Sequence, residues 1–135
     1  MKRGMLLIDR GSREKEAKEE LDIICKRVKE KGDYVFSDYC FLEVLPPFIE
    51  EGVKKRLQQE IEALTIVPYF LYPGKKVKAA VNDAIKFQAE TDVKFVISKP
   101  MSMHKTMTEL VQNRVSTALK KNNISLPNRS EERRV

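Results

Sequence analysis

Apolar and polar positions follow two rhythms along the chain. Short apolar runs recur four times, and between them lie longer charged stretches with an apolar residue every three or four positions. A short apolar run reads as a buried strand, and the wider spacing as an amphipathic helix. The first run, Met5–Ile8, predicts a strand and is followed at once by Asp9, Arg10, Gly11 and Ser12. Gly11 suits a tight turn because it has no Cβ. Ser12 predicts the N-cap of the next helix, since its hydroxyl can accept a bond from a free first-turn N–H. That helix carries Ala17, Leu21, Ile24, Cys25 and Val28 on one stripe, has Glu14 and Glu16 near its start, and ends at Gly32.

Tyr34–Leu42 is rich in aromatic and β-branched residues and predicts the second strand. Pro46 and Pro47 predict the opening of a second helix, whose stripe is Phe48, Ile49, Val53, Leu57 and Ile61. Ala63–Leu71 predicts the third strand; Pro68 removes a ladder donor and so belongs near its end or at a bulge. Pro73 and Gly74 turn the chain into a third helix, Lys75–Glu90, with Val77, Val81, Ala84, Ile85 and Gln88 on one side. Val93–Ser98 predicts the fourth strand, ended by Pro100. Met103–Lys121 predicts the last helix, with Met107, Leu110, Val111 and Val115 inward.

The order βαβαβαβα predicts a single three-layer α/β domain, a four-stranded parallel sheet with helices on both faces. The first and third strands are expected side by side, which brings the loops of Arg10 and Lys76 together. In open α/β sheets the ligand sits in the loops at the carboxyl ends of the strands.

Composition narrows the class. With 135 residues, 41% of them hydrophobic and 34% charged, the chain fits one water-soluble domain able to bury its own core. No apolar run approaches membrane-spanning length, and four apolar residues before Asp9 are too few for a signal peptide. Cys25 and Cys40 have no paired spacing, so both are expected as reduced core thiols in the cytoplasm. The net charge of +6 favours an anionic partner. The expected organisation is a domain over residues 1–121 and a basic, poorly ordered tail over 122–135. No aromatic platform accompanies the tail's arginines, which argues against nucleic acid.

The candidate chemistry is sparse. His104 is the only histidine and falls at a helix start, where a polar backbone contact explains it. Ser12 has no histidine near it in sequence, so capping explains it better than nucleophilic chemistry. Lys75, Lys76 and Lys78 crowd the start of the third helix, where the dipole is already positive. An anion docked there relieves the conflict. D-R-G-S-R and P-G-K-K raise the thought of a phosphate or nucleotide site, but neither carries a Walker or dinucleotide fingerprint.

Several separated stretches together carry a resemblance: K-R-G-M-L-L-I-x-x-G-S-R, then F-L-E at Phe41–Glu43, then V-P-Y-F-L-Y-P-G-K-K-V at Val67–Val77, then P-M-S-M-H-K. In this order and spacing the chain resembles the small sirohydrochlorin chelatases of the CbiX type. The resemblance implies a chelatase-type fold and a cytoplasmic homodimer. It implies insertion of Co²⁺, Fe²⁺ or Ni²⁺ into an anionic, polycarboxylated tetrapyrrole such as sirohydrochlorin, for cobalamin, sirohaem or a related cofactor. The metal is then a substrate, and no cofactor is held permanently. Glu43 matches the family's second-loop acidic residue and is implied as metal ligand and catalytic group. The family's two loop histidines fall on Arg10 and Lys76. Lys76 is carried over as a catalytic residue, and Arg10, Gly11, Ser12, Lys75, Lys76 and Lys78 as substrate-binding residues.

Those two replacements change the chemistry. Imidazole can hold a metal and accept a proton near neutral pH. A guanidinium has no lone pair, and an ammonium offers one only after losing its proton. Both can hold carboxylates. Two readings follow: a working chelatase with unusual ligands, or a non-catalytic tetrapyrrole- or anion-binding protein that has lost the metal-site histidines.

Overall fold

Met5–Ile8 alternates between two apolar layers. In the computed structural model, which describes residues 1–101 and 104–125, this run lies in strand β1 (Arg3–Asp9). Leu6 and Ile8 are fully buried in one cluster, and Met5 and Leu7 are buried in another. A strand buried on both faces is why the sequence shows a continuous apolar run there and not an alternating one.

β1 pairs in parallel with β2 (Phe36–Phe41) on one side and β3 (Ala63–Pro68) on the other. β4 (Lys94–Ile97) pairs with β3, giving the order β2-β1-β3-β4. The expected four-stranded parallel sheet is present, with its first and third strands adjacent. Helix α1 (Lys15–Lys31) covers one face, with Leu21 and Cys25 against Met5, Leu7 and Phe41. Helices α2 (Ile49–Leu57) and α3 (Lys75–Ile85) supply Ile49, Val53, Ala80 and Ala84 to the cluster of Leu6, Ile8, Leu64 and Ile66. Each of the Leu, Ile and Val side chains contributes about 1.5–3 kcal/mol on full burial. Both cysteines are buried free thiols, and Pro68 ends its strand. Gly52 lets α2 approach β2, because a Cβ there would lie 2.7 Å from Cβ of Cys40.

Several local expectations need correction. Ser12 is not the N-cap of α1: Glu14 holds that position, and the Ser12 hydroxyl accepts the Glu14 N–H at 3.1 Å. The serine serves the turn before the helix, because the loop after β1 runs two residues further than the apolar pattern suggests. Gly32 does end α1, but in extended backbone; the ring of Tyr34 fills the space a Cβ would need. Pro46 and Pro47 precede α2 and do not open it. Phe48 is the N-cap, and its N–H donates to Oε1 of Glu51 at 2.8 Å. The third helix stops at Ile85 and continues as a 3-10 turn, Lys86–Glu90. There the Gln88 amide donates to the Val93 carbonyl at 2.6 Å and accepts from the Phe95 N–H at 2.8 Å, which draws the turn to β4.

The contacts divide the chain into two units, Met1–Ser102 and Met103–Val135. In the second, α4 (Lys105–Lys121) starts after His104, whose Nδ1 accepts the Thr106 N–H at 3.1 Å. The helix-start contact expected of His104 is therefore made. No residue of α4 is buried, and Leu110, Val111 and Val115 are exposed, contrary to the inward stripe expected of them. The expected start of this helix at Met103 and the tail beyond Ser125 lie outside the described residues.

Candidate functional site

The loops that leave β1, β2 and β3 share one edge of the sheet, the edge at the strands' carboxyl ends. The parallel pairing does not stop where the strands do. The Leu42 N–H donates to the Asp9 carbonyl at 2.8 Å, and the Glu43 N–H to the Arg10 carbonyl at 3.1 Å. Arg10 and Glu43 thus sit on extensions of neighbouring strands. Gly11 makes this possible. Its φ is +108°, and a Cβ there would overlap the carbonyl oxygen of Glu43. The Asp9 carboxylate closes the turn by accepting the Gly11 N–H at 3.1 Å. Burial raises the pKa of Asp9, opposed by that bond and by the Arg10 N–H.

On the other side of β1, Tyr69 donates its N–H to the Ile8 carbonyl at 2.8 Å, so the loop after β3 also starts alongside β1. It leads through Pro73 and Gly74 into α3, whose second residue is Lys76. Lys76 reaches back to Glu43: Nζ lies 3.1 Å from Oε1 and 3.2 Å from Oε2. Nε of Arg10 donates to the same Oε1 at 3.2 Å. One carboxylate from the second loop is therefore clamped between cations from the first and the third. The hydrogen bonds from Lys76, then Arg10, hold the Glu43 carboxyl below the usual glutamate range.

The structure brings together Arg10, Glu43 and Lys76, three of the residues the sequence singled out, and places Gly11 beneath them. Ser12 is engaged with Glu14 instead. Lys75 and Lys78 are exposed on α3 and make no ion pair among the described residues. The anion that the crowded lysines called for is supplied, for Lys76, by the protein itself. Among the described residues no group of three or more His, Cys, Asp or Glu side chains could hold a metal ion, so Glu43 is the acidic donor of this cluster. No described helix is long and apolar enough to cross a membrane.

Two features had no clear sequence signal. Val44, next to Glu43, has φ +81°, a region that β-branched residues avoid. Leu71 and Tyr72, in the loop between β3 and α3, are exposed although the run Val67–Tyr72 is almost wholly apolar. Only the Pro73–Gly74 turn hints that the run leaves the core early.

The CbiX family model matches residues 4–118. The chain belongs to the CbiX family. Relatives of this CbiX chain include the chloroplastic sirohydrochlorin ferrochelatase of Arabidopsis thaliana, 26% identical over 86% of the chain. The sirohydrochlorin cobaltochelatase of Sulfolobus acidocaldarius is also 26% identical, again over 86% of the chain. The chain spans 52% of the Arabidopsis protein's length and 92% of the Sulfolobus protein's. Among solved structures, a CbiX protein of cobalamin (vitamin B12) biosynthesis from Marinobacter aquaeolei VT8 superposes with a TM-score of 0.72 at 20% identity, over 88% of this chain and 98% of that one. The sirohydrochlorin chelatase SirB of Bacillus subtilis, solved with cobalt, gives 0.76 at 23% identity, over 87% and 51%. Both likenesses show the fold.

Proposed function

We propose that this CbiX-family chain inserts a divalent metal, Co²⁺, Fe²⁺ or Ni²⁺, into a polycarboxylated tetrapyrrole of the sirohydrochlorin type. The observation that carries this reading is the meeting of Arg10, Glu43 and Lys76 across three loops, in a family whose relatives are named as cobalto- and ferrochelatases.

Insertion exchanges one divalent cation for two pyrrole protons. It needs cations for the rim carboxylates, a donor for the metal and an acceptor for the protons. Arg10 and Lys76 offer charge-assisted bonds to carboxylates. Lys75 and Lys78 extend the positive region along α3. Glu43 offers carboxylate oxygens to the metal and, as the metal passes to the ring, accepts the two released pyrrole protons one after the other and hands each to water. A glutamate carboxyl is ionised at neutral pH, as a metal donor must be, and here Lys76 and Arg10 lower its pKa further. Lys76 enters catalysis as a cation that pairs with Glu43 in the free protein and is within reach of a rim carboxylate of the substrate. Gly11 and Ser12 shape the turn that presents Arg10, and the exposed Leu71 and Tyr72 offer apolar surface to the macrocycle.

We further infer a chelatase-like domain over residues 1–121 with a basic appendage, acting as a cytoplasmic homodimer; sedimentation of the purified chain tests the last point.

The visible spectrum of sirohydrochlorin mixed with Co²⁺ tests the reaction itself. The chain is expected to speed insertion above the spontaneous rate, and Glu43→Gln to lower that gain by on the order of tenfold or more. A chain that binds sirohydrochlorin and leaves the spontaneous rate unchanged is a binding protein, and the enzymatic reading falls.

A further inference from the structure

We propose that Glu43 acts as a stand-in for a substrate carboxylate: the tetrapyrrole displaces it from Arg10 and Lys76, and only then is it free for the metal. The inference rests on the tetrapyrrole reading above and adds an order of binding, macrocycle first and metal second.

The geometry argues for it. Both oxygens of Glu43 are taken, Oε1 by Arg10 and Lys76 together and Oε2 by Lys76. A divalent cation approaching this carboxylate meets two positive charges beside it, so the cluster it approaches is net positive. The clamped state is thus poorly suited to receive the metal. It is well suited to exchange. The three side chains are 64%, 39% and 49% exposed for Arg10, Glu43 and Lys76, so an incoming anion reaches the cations from solvent. Exposed pairs of this kind are weak and are readily traded for others.

One free carboxylate competes badly with Glu43, which is tethered beside its partners. A macrocycle rimmed with carboxylates presents several at once, and the exposed Lys75 and Lys78 lie within two residues of Lys76 to engage the others. Arg10 and Lys76 carry two positive charges and Glu43 one negative. A rim carboxylate that takes the clamp replaces Glu43 as the counter-charge of the two cations and brings the net charge of the whole cluster from +1 to zero. Glu43 is then unpartnered, beside a macrocycle that has still to receive its metal. Only side chains need move, because the backbone of Arg10 and Glu43 is fixed by the extended ladder.

Nickel uroporphyrin tests the exchange, since it carries eight carboxylates and its filled centre takes no further metal. Glu43→Gln is expected to bind it more tightly than the wild type, by roughly threefold to tenfold, because the internal competitor is gone. Calorimetry with Co²⁺ is expected to show wild-type affinity rising by a similar factor once nickel uroporphyrin is bound, and no such rise in Glu43→Gln. Lys76→Gln is expected to bind Co²⁺ more tightly without any macrocycle. Equal or weaker porphyrin binding by Glu43→Gln, or Co²⁺ affinity that ignores the porphyrin, overturns the exchange. Cobalt insertion by the wild type is read separately. Insertion without the Glu43→Gln gain removes the exchange and leaves the function; the gain without insertion removes the function and leaves an anion-exchanging clamp.

Discussion

The backbone at Gly11 passes so close to the carbonyl oxygen of Glu43 that no other residue type fits there without displacing the second loop. With φ at +108°, the position is also strained for any L side chain. Gly11→Ala is therefore expected to destabilise the fold by about 1–3 kcal/mol. It is also expected to impair metal insertion, because it moves Glu43. Urea unfolding measures the first effect, and an unchanged midpoint would show that the two loops do not meet as described.

Val44 predicts the opposite sign. It is a β-branched residue at φ +81°, half exposed, so glycine relieves strain and forfeits little burial. Val44→Gly is expected to leave stability unchanged or raise it by about 1 kcal/mol, where glycine normally costs that much. A clear drop in the unfolding midpoint would locate the strain elsewhere.

The two cysteines set an alkaline limit. Burial is the main cause pushing the thiol of Cys25 up to about 11 and that of Cys40 up to about 12, from 9.0. Burial likewise raises the Tyr39 phenol. In each case the folded state keeps a proton that the unfolded chain gives up. Stability is therefore full below pH 9 and falls as pH rises from there through the folded values. A thiol-reactive dye at pH 8 should label the native protein slowly and the urea-unfolded protein at once. Rapid native labelling would mean that the core opens more readily than its packing implies.

The double change Arg10→His and Lys76→His follows from the clamp. It removes two positive charges near neutral pH and supplies two lone pairs beside Glu43. The variant is expected to insert Co²⁺ faster than the wild type and to hold the free macrocycle less tightly, by roughly tenfold each way. The single changes should each do less, because neighbouring ligands act together. A slower double variant would show that Arg10 and Lys76 contribute to insertion as they stand.

Much of the fold was legible because its signals are periodic. The buried strand β1 announced itself by four apolar residues in a row, and α1 by Leu21 and Cys25 four apart. The adjacency of β1 and β3 followed from the need to bring two loops together. Boundaries were less legible, for local reasons. Ser12 looks like a helix cap in any window, and only the turn built by Asp9 and Gly11 moves the helix start to Lys15. Pro46 and Pro47 have the composition of a first helical turn, yet the Glu51 carboxylate fixes the start after Phe48. At the site, Arg10 and the lysines at the start of the third helix were readable from their place beyond a strand, whereas Glu43 and the choice of Lys76 came from the resemblance to the family. The mutual pairing of the three was not readable, since it depends on which of several exposed lysines reaches the carboxylate.

The continuation of the ladder past β1 and β2 also bears on time. Loops that close over a ligand travel on microsecond to millisecond scales, whereas exposed side chains change rotamer in picoseconds to nanoseconds. The Glu43 N–H is bonded to the Arg10 carbonyl at 3.1 Å, and the residues just before them are joined at 2.8 Å, so Arg10 and Glu43 have only their side chains to rearrange. A change of partner at this edge can thus finish within a single diffusional encounter. In the proposed reaction, turnover is then paced by the arrival and departure of the flat, bulky macrocycle and by the chemistry at its centre.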